Sequence, residues 1–198
     1  MSIDREQIIL AALDEFAEVG FTDARLESIA ERAKTQIQIV RALYVDKETL
    51  LDEIVIRQTE PMVSAIALAI EDLDEPKQLI REALQVFDQW MLDHPKMVRV
   101  WLRCALESTD TLSSFFQKTL MPSDFFERLQ NLINEGQLRC NDLLMLSIIF
   151  DSLIAFPHMM RTPLVQSLPE QQIEEVFERR FKATMDLFEH GLYSKEAG

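Results

Sequence analysis

Residues 24–44 read ARLESIAERAKTQIQIVRALY. Apolar side chains recur three or four residues apart in each half of this stretch, which predicts two short helices, 24–33 and 36–44. A turn of only a few residues joins them, so the pair is typical of a helix-turn-helix unit. We expect Ile29 of the first helix to pack against Val40 of the second and to set the angle between them.

The boundaries of this pair are predicted from residues that cap helices. Asp23 is a suitable N-cap for the first helix, and Lys34 is expected to lie in the turn. Thr35 and Gln38 fit the T-x-x-Q capping box, which predicts that Thr35 opens the second helix. Val40 and Tyr44 are four residues apart and should both face inward.

Helical patterns continue on both sides of this unit. One helix is expected before the pair, from about Asp4 to Gly20, and another after it, beginning at Lys47-Glu48. The chain has only 4 glycines in 198 residues, too few for many tight hairpins. We therefore predict an all-α protein with a three-helix, helix-turn-helix head at 1–47 and a larger helical body at 48–198.

The charge of the chain is strongly negative, at -14. Such a chain is repelled by polyanions unless its basic groups are segregated. Within 32–47, four basic side chains face a single acidic one, Asp46. This segment is therefore the candidate surface for a polyanion.

Six stretches of the chain carry a resemblance to a known protein family. They are, in order, Ile9-Leu10-Ala11-Ala12, Phe16-Ala17-Glu18-Val19-Gly20-Phe21, Ile29-Ala30-Glu31-Arg32-Ala33, Lys47-Glu48-Thr49-Leu50, Asn134-Glu135-Gly136-Gln137-Leu138-Arg139 and Phe188-Glu189-His190-Gly191-Leu192. In their order and spacing these stretches resemble the tetracycline-repressor (TetR) family of bacterial regulators, specifically in 9–50 and more loosely over the rest of the chain. The resemblance implies a ligand-responsive DNA-binding regulator, most often a repressor released from a palindromic operator by a small molecule.

The candidate DNA contacts lie in and around the predicted second helix of the pair. They are Arg25, Lys34, Thr35, Gln36, Gln38, Arg41 and Lys47. Gln38 has the amide that reads adenine, and Arg41 has the fork that fits guanine or a phosphate. Lys47 stands at a helix start, where the helix dipole disfavours a cation, and this favours a phosphate contact over a structural role. Ile37 is apolar on a face expected to be exposed, so it would touch a thymine methyl or a protein.

The body is rich in aromatic residues and methionine, which suits an apolar or amphipathic effector. Trp90, Trp101 and Phe116 are the candidate residues to line its pocket, and an ordinary place in the core is the alternative explanation for each of them. The resemblance further implies a homodimer, formed by the two apolar helices predicted at 142–160 and 168–191.

Two interpretations remain open for the function. The first is the DNA-binding regulator; the alternative is a degenerate family member that binds a ligand or a protein without reading DNA, as Lys34 and Ile37 would suit. The three histidines and two cysteines lack metal-ligand or catalytic spacing, so we expect no metal, no cofactor and no enzyme. No signal-peptide pattern opens the chain and no apolar stretch reaches membrane-spanning length, so we expect a cytoplasmic protein without membrane contact.

Overall fold

The computed structural model describes residues 2–107, 121–161 and 167–193, and the regular structure within them is helical. The helices have the following bounds: α1 Ser2–Val19, α2 Leu26–Arg32, α3 Ile37–Leu43, α4 Lys47–Ile70, α5 Pro76–Asp93, α6 Pro95–Glu107, α7 Ser123–Asn134, α8 Leu143–Phe150, α9 Phe156–Met159 and α10 Glu170–Gly191. A π-helical turn, Asp151–Ala155, joins α8 to α9. The all-α prediction is confirmed.

The chain divides into two compact units. The first comprises Met1–Pro61 and His94–Leu120, and the second comprises Met62–Asp93 and Met121–Gly198. The helix α4 runs through Pro61, where this division falls. The expected boundary between a head at 1–47 and a body at 48–198 stays a prediction.

The first unit is built on α1, whose buried face contacts α2 and α6. Phe16 and Ile29 are fully buried, and the Phe16 ring lies 5.6 Å from that of Phe21. Val40 and Tyr44 are also buried, as their four-residue spacing predicts. The helices α2 and α3 have 7 residues each and are too short to be stable alone. Burial of their apolar side chains stabilises them.

The end of α2 explains why one predicted cap is wrong. The amide of Thr35 donates to Ala30 O and that of Lys34 donates to Glu31 O, each at 3.0 Å. These two bonds form a Schellman motif, with Lys34 in the left-handed conformation at φ 52°. Because its amide is used to end α2, Thr35 does not open α3. Gln36 is the N-cap, and its side chain makes no capping bond.

The start of α2 also differs from the expectation. Arg25, not Asp23, is the N-cap, and it makes no side-chain capping bond. The reason lies in the preceding loop, where the carbonyls of Phe21, Thr22 and Ala24 all accept bonds from the ammonium of Lys47. Those bonds hold the loop in a non-helical path until Arg25.

The second unit contains α5, α7, α8, α9 and α10, and an exposed apolar face runs along α8 and α9. Asp142 caps α8 by accepting bonds from the amides of Leu144 and Met145. The exposed residues of this face are Leu144, Met145, Ile148, Ile149, Leu153 and Phe156. On α10, Val176 and Leu187 are exposed as well. Soluble proteins rarely leave so continuous an apolar surface uncovered.

Candidate nucleic-acid interface

The helix α3 presents its polar side chains to solvent because its apolar side is held by α2. Val40 is its fully buried residue, and Ile37 is half-buried. Gln38 and Arg41 are exposed, with 64% of the Arg41 side chain accessible. The side of α3 that carries Gln38 and Arg41 is therefore open to solvent.

Arg41 is engaged by an acidic neighbour that sequence reasoning did not identify. Its Nη2 donates to Glu27 Oε1 at 2.7 Å, which ties the last turn of α3 to the first turn of α2. The pKa of Glu27 lies below its usual value because its carboxylate accepts a bond from its own backbone amide and, further, from Arg41. The bond uses one of the five donor hydrogens of the guanidinium, so the others can still reach a ligand.

The remaining residues predicted around α3 lie near it but differ in exposure. Arg25 and Gln36 are exposed at the N-caps of α2 and α3, and Lys34 is exposed in the turn between them. Thr35 is half-buried in the same turn. We call these four residues, together with Gln38 and Arg41, the α3 face.

Lys47 occupies a different position. Its ammonium lies 2.7 Å from Phe21 O, 3.0 Å from Thr22 O and 2.9 Å from Ala24 O. It also lies 5.0 Å from the centre of the Phe21 ring. These contacts give Lys47 a structural role in holding the loop between α1 and α2, which the helix-dipole argument did not anticipate. Its phosphate contact stays a prediction.

Acidic and apolar groups border the α3 face. Glu27 and Glu31 are exposed on α2. Ile39, Leu43 and Val45 are exposed by 36%, 41% and 89%. Because Glu27 pairs with Arg41, the α3 face favours contact with a polyanion only where opposite charges fit closely.

Known proteins resemble this chain over part of its sequence and over most of its fold. No family model matches the sequence. The chain is 28% identical over 96 residues to the HTH-type transcriptional repressor NicS of Pseudomonas putida, and the match spans 48% of this chain and 45% of that repressor. The chain thus spans about half the length of the curated relative it matches.

Solved structures match over nearly the whole chain. A TetR family transcription regulator of Marinobacter aquaeolei superposes with a TM-score of 0.70 at 15% identity, covering 92% of this chain and 95% of that one. A regulator of Saccharomonospora viridis, solved in complex with choline, gives 0.68 at 16% identity and covers 98% and 100%. The chain has the TetR fold.

The residues predicted to line an effector pocket are not assembled within one unit of this TetR fold. Trp90 belongs to the second unit and Trp101 to the first, and each is buried. Phe116 lies outside the described residues. An effector site formed by these three residues stays a prediction.

The described part of the chain shows no candidate metal site. Residues 2–107, 121–161 and 167–193 contain no group of three or more histidine, cysteine or carboxylate side chains arranged to hold a metal ion. In these same ranges, no helix combines the length and the apolar character needed to cross a bilayer.

Proposed function

We propose that this protein is a transcriptional regulator that binds DNA through α3, as a homodimer, and releases it when a small molecule binds the rest of the chain. The observation that supports this most directly is the exposure of Gln38 and Arg41 on a helix braced by α2. The TetR fold and the match to a repressor support the same proposal.

Each part of the α3 face has a distinct task in the proposal. Gln38 and Arg41 read base edges in the major groove, because an amide pairs with adenine and a guanidinium with guanine. Arg25, Lys34, Thr35 and Gln36 contact phosphates and set the register, as backbone contacts do. Two copies of α3 then meet successive major grooves about 34–36 Å apart, which requires a palindromic operator.

The second copy is expected at the exposed apolar face of the second unit. Ile148 and Phe156 are exposed by 46% and 56%, and Leu187 of α10 is exposed by 65%. Pairing with the same face of another copy buries all of these side chains by two-fold symmetry. Apolar burial at about 25 cal/mol per Å² drives such an association.

Repression and its release by a ligand follow from the coupling of two sites. The ligand is expected to bind better to a conformation in which the two copies of α3 no longer fit successive major grooves. Such a ligand lowers the affinity for DNA, by about 1–3 kcal/mol in typical cases. In the first unit, α6 is linked to α1 by Lys96–Asp14 at 2.5 Å and by Arg103 Nη2–Glu18 O at 2.7 Å. These bonds connect α6 to α1, and α1 in turn contacts α2.

A selection of bound fragments from random DNA, followed by salt-titrated gel shifts on the enriched site, tests the proposal. Arg41→Ala is expected to weaken specific binding by about 1–3 kcal/mol. Arg99→Ala, which removes an exposed arginine on α6, serves as the control with the same change of charge. Failure to enrich any sequence, or equal losses in both variants, contradicts the proposal.

A second candidate function is favoured by the surroundings of Arg41. Its ion pair with Glu27 and the exposed Leu43 and Val45 suit a protein partner as well as a DNA groove. In that case the chain binds a ligand or a protein and has lost sequence-specific DNA binding. The same selection experiment separates the two functions, because this candidate enriches no sequence.

A further inference from the structure

The helix α3 exposes apolar side chains beside its polar ones. Ile39 and Leu43 are exposed by 36% and 41%. The other exposed residues of the helix are Gln38, Arg41 and Ala42. Exposed apolar residues that stand singly are normal on a protein surface, but Ile39 and Leu43 are neighbours one helical turn apart. They are therefore a candidate contact surface.

Helical geometry fixes the order of these groups around the axis of α3. At 100° per residue, Gln38 lies about 160° away from the buried Val40, on the outward side of the helix. Arg41 lies about 100° from Val40 in one direction, and Ile39 lies about 100° from it in the other. Leu43 is on the same flank as Ile39. The exposed side of α3 thus has a cationic flank, an amide in the middle and an apolar flank.

The apolar flank of α3 is small. The exposed fractions of Ile39 and Leu43 together amount to less than one whole side chain. With Val45, which is 89% exposed just beyond the helix, they amount to less than two. A stable protein–protein interface buries about 800 Å² on each partner. The flank is therefore too small to form the core of such an interface, and its size suits contact with a single chemical group.

The charges beside the flank favour a polyanion as the partner. Arg25, Lys34 and Arg41 are exposed members of the α3 face, and four basic residues oppose one acidic residue within 32–47. In the major groove of DNA, phosphates border the base edges, and thymine adds the one apolar group, its C5 methyl. Apolar side chains contact that methyl group. The groove therefore offers a partner for each of the three parts of α3.

The position of Ile37 differs from what its residue type suggested. Ile37 was expected to touch a thymine methyl or a protein, yet it is half-buried. It lies about 60° from Val40, on the side of Arg41, so it turns toward the packed side of the helix. Ile39, two residues later, lies on the opposite flank and is more exposed.

We propose that Ile39 recognises thymine in the operator by packing against its C5 methyl group in the major groove, with Leu43 beside it on the same flank. The inference rests on the proposed function, because it concerns DNA that is bound by α3. It adds a thymine contact to the adenine and guanine contacts of Gln38 and Arg41, and it makes Ile39 a specificity-determining residue.

Uracil in place of thymine tests the inference, because the two bases pair identically and differ only in the methyl group. A binding site is first enriched from random DNA, and each thymine is then replaced singly by uracil in competition gel shifts with the wild-type protein. Uracil at the contacted position is expected to weaken binding about fourfold, as the loss of one buried methyl-sized group does. An enriched site that tolerates uracil at every thymine overturns this inference alone and leaves the apolar flank to a protein partner. Failure to enrich any site overturns the proposed function as well.

Ile39→Ala tests whether the effect belongs to this residue. The variant is expected to bind the thymine and uracil sites equally, because no large apolar side chain remains to meet the methyl group. Ile56→Ala is the matched control, since it makes the same change at a 53% exposed position on α4 and should keep the wild-type ratio. A uracil effect that is unchanged in Ile39→Ala means that the methyl group acts through DNA shape, and it overturns the assignment.

The ratio of the two affinities also guards against a folding defect. Both sites are titrated with the same protein sample, so a loss of folded protein cancels from the ratio. Ile39→Val is the milder variant, because it removes one methyl group and keeps the branched side chain. Its ratio is expected to fall between those of the wild type and Ile39→Ala, and a ratio outside that range contradicts the inference.

Discussion

Glu107 at the end of α6 accepts two hydrogen bonds from Thr22, one from its amide and one from its hydroxyl, each at 2.8 Å. The carbonyl of the same Thr22 accepts a bond from Lys47 at the start of α4. One residue of the loop between α1 and α2 is thus held by two helices. This loop leads directly into α2, so its position sets the position of the α2–α3 pair.

Gly20→Ala should destabilise the first unit. Gly20 has φ +90°, and a Cβ there would lie 2.2 Å from Glu107 Oε1. We expect a loss of about 1–3 kcal/mol in the free energy of unfolding, measured by urea denaturation. Gly191→Ala is the control, because a Cβ added there would meet no atom within 4 Å and the φ of Gly191 is not positive. If Glu107 is the obstacle, Gly20→Ala/Glu107→Ala loses less than the sum of the single variants.

Lys34→Gly should stabilise the protein while weakening DNA binding. A left-handed φ of 52° costs a side chain about 1 kcal/mol, and glycine removes that cost at the C′ position of α2. The lost charge should reduce the salt dependence of DNA binding by about one unit of slope. Lys34→Ala separates the two effects, since it removes the charge and keeps the strained backbone. A stabilised Lys34→Ala would contradict the strain argument.

Glu27→Gln should lower the specificity of DNA binding more than Glu31→Gln does. Both variants remove one exposed negative charge from α2, so both should bind non-specific DNA more tightly. Only Glu27 orients the guanidinium of Arg41, through the 2.7 Å bond. The ratio of specific to non-specific affinity, measured by competition gel shifts, should fall in Glu27→Gln alone. An equal ratio in both variants would show that the ion pair does not position Arg41.

The stability of the second unit should fall in mild acid because of His158. Burial lowers the pKa of His158, with Arg180 and Arg161 adding to the effect, although Asp88 opposes it. The folded state therefore binds fewer protons than the unfolded state, whose histidine titrates near pH 6.5. This contribution is complete above pH 6.5 and decreases as the pH falls below it.

Urea denaturation of the wild type and of His158→Gln at pH 7.5 and 5.5 measures that contribution. The wild type should lose more stability between the two pH values than the variant does. His190, which is exposed, provides the control substitution His190→Gln. A loss of the same size in all three proteins would place the acid sensitivity elsewhere.

Phe156→Glu should convert the protein to a monomer, because it places a charge in the apolar face proposed to join two copies. Burying an unpaired carboxylate there costs several kcal/mol, which is enough to abolish the association of the two copies. Sedimentation velocity across a range of protein concentrations measures the change. Leu106→Glu on α6 is the control, since Leu106 is 76% exposed but belongs to the first unit. A dimeric Phe156→Glu variant would move the interface to another surface.

The local pattern of residues was enough to predict the helices and their inward faces. Ile29, Val40 and Tyr44 are buried as their spacing predicts, and Lys34 lies in the turn. Each of these outcomes depends on residues within one or two helical turns, where side-chain direction follows from the 3.6-residue period. The cap of α8 is local in the same sense, because Asp142 accepts bonds from amides two and three residues after it.

The tertiary structure decided which charged groups meet. Asp88, His158 and Arg180 are separated by 70 and 22 residues, and Thr22 and Glu107 by 85. No periodicity connects such positions. Their contact depends on how the helices pack and on which charged side chains that packing brings together. For the same reason the ion pair of Arg41 with Glu27 and the three carbonyls bound by Lys47 emerged only from the folded chain. The sequence determined the helices, whereas the packing of the helices determined which charged groups are paired.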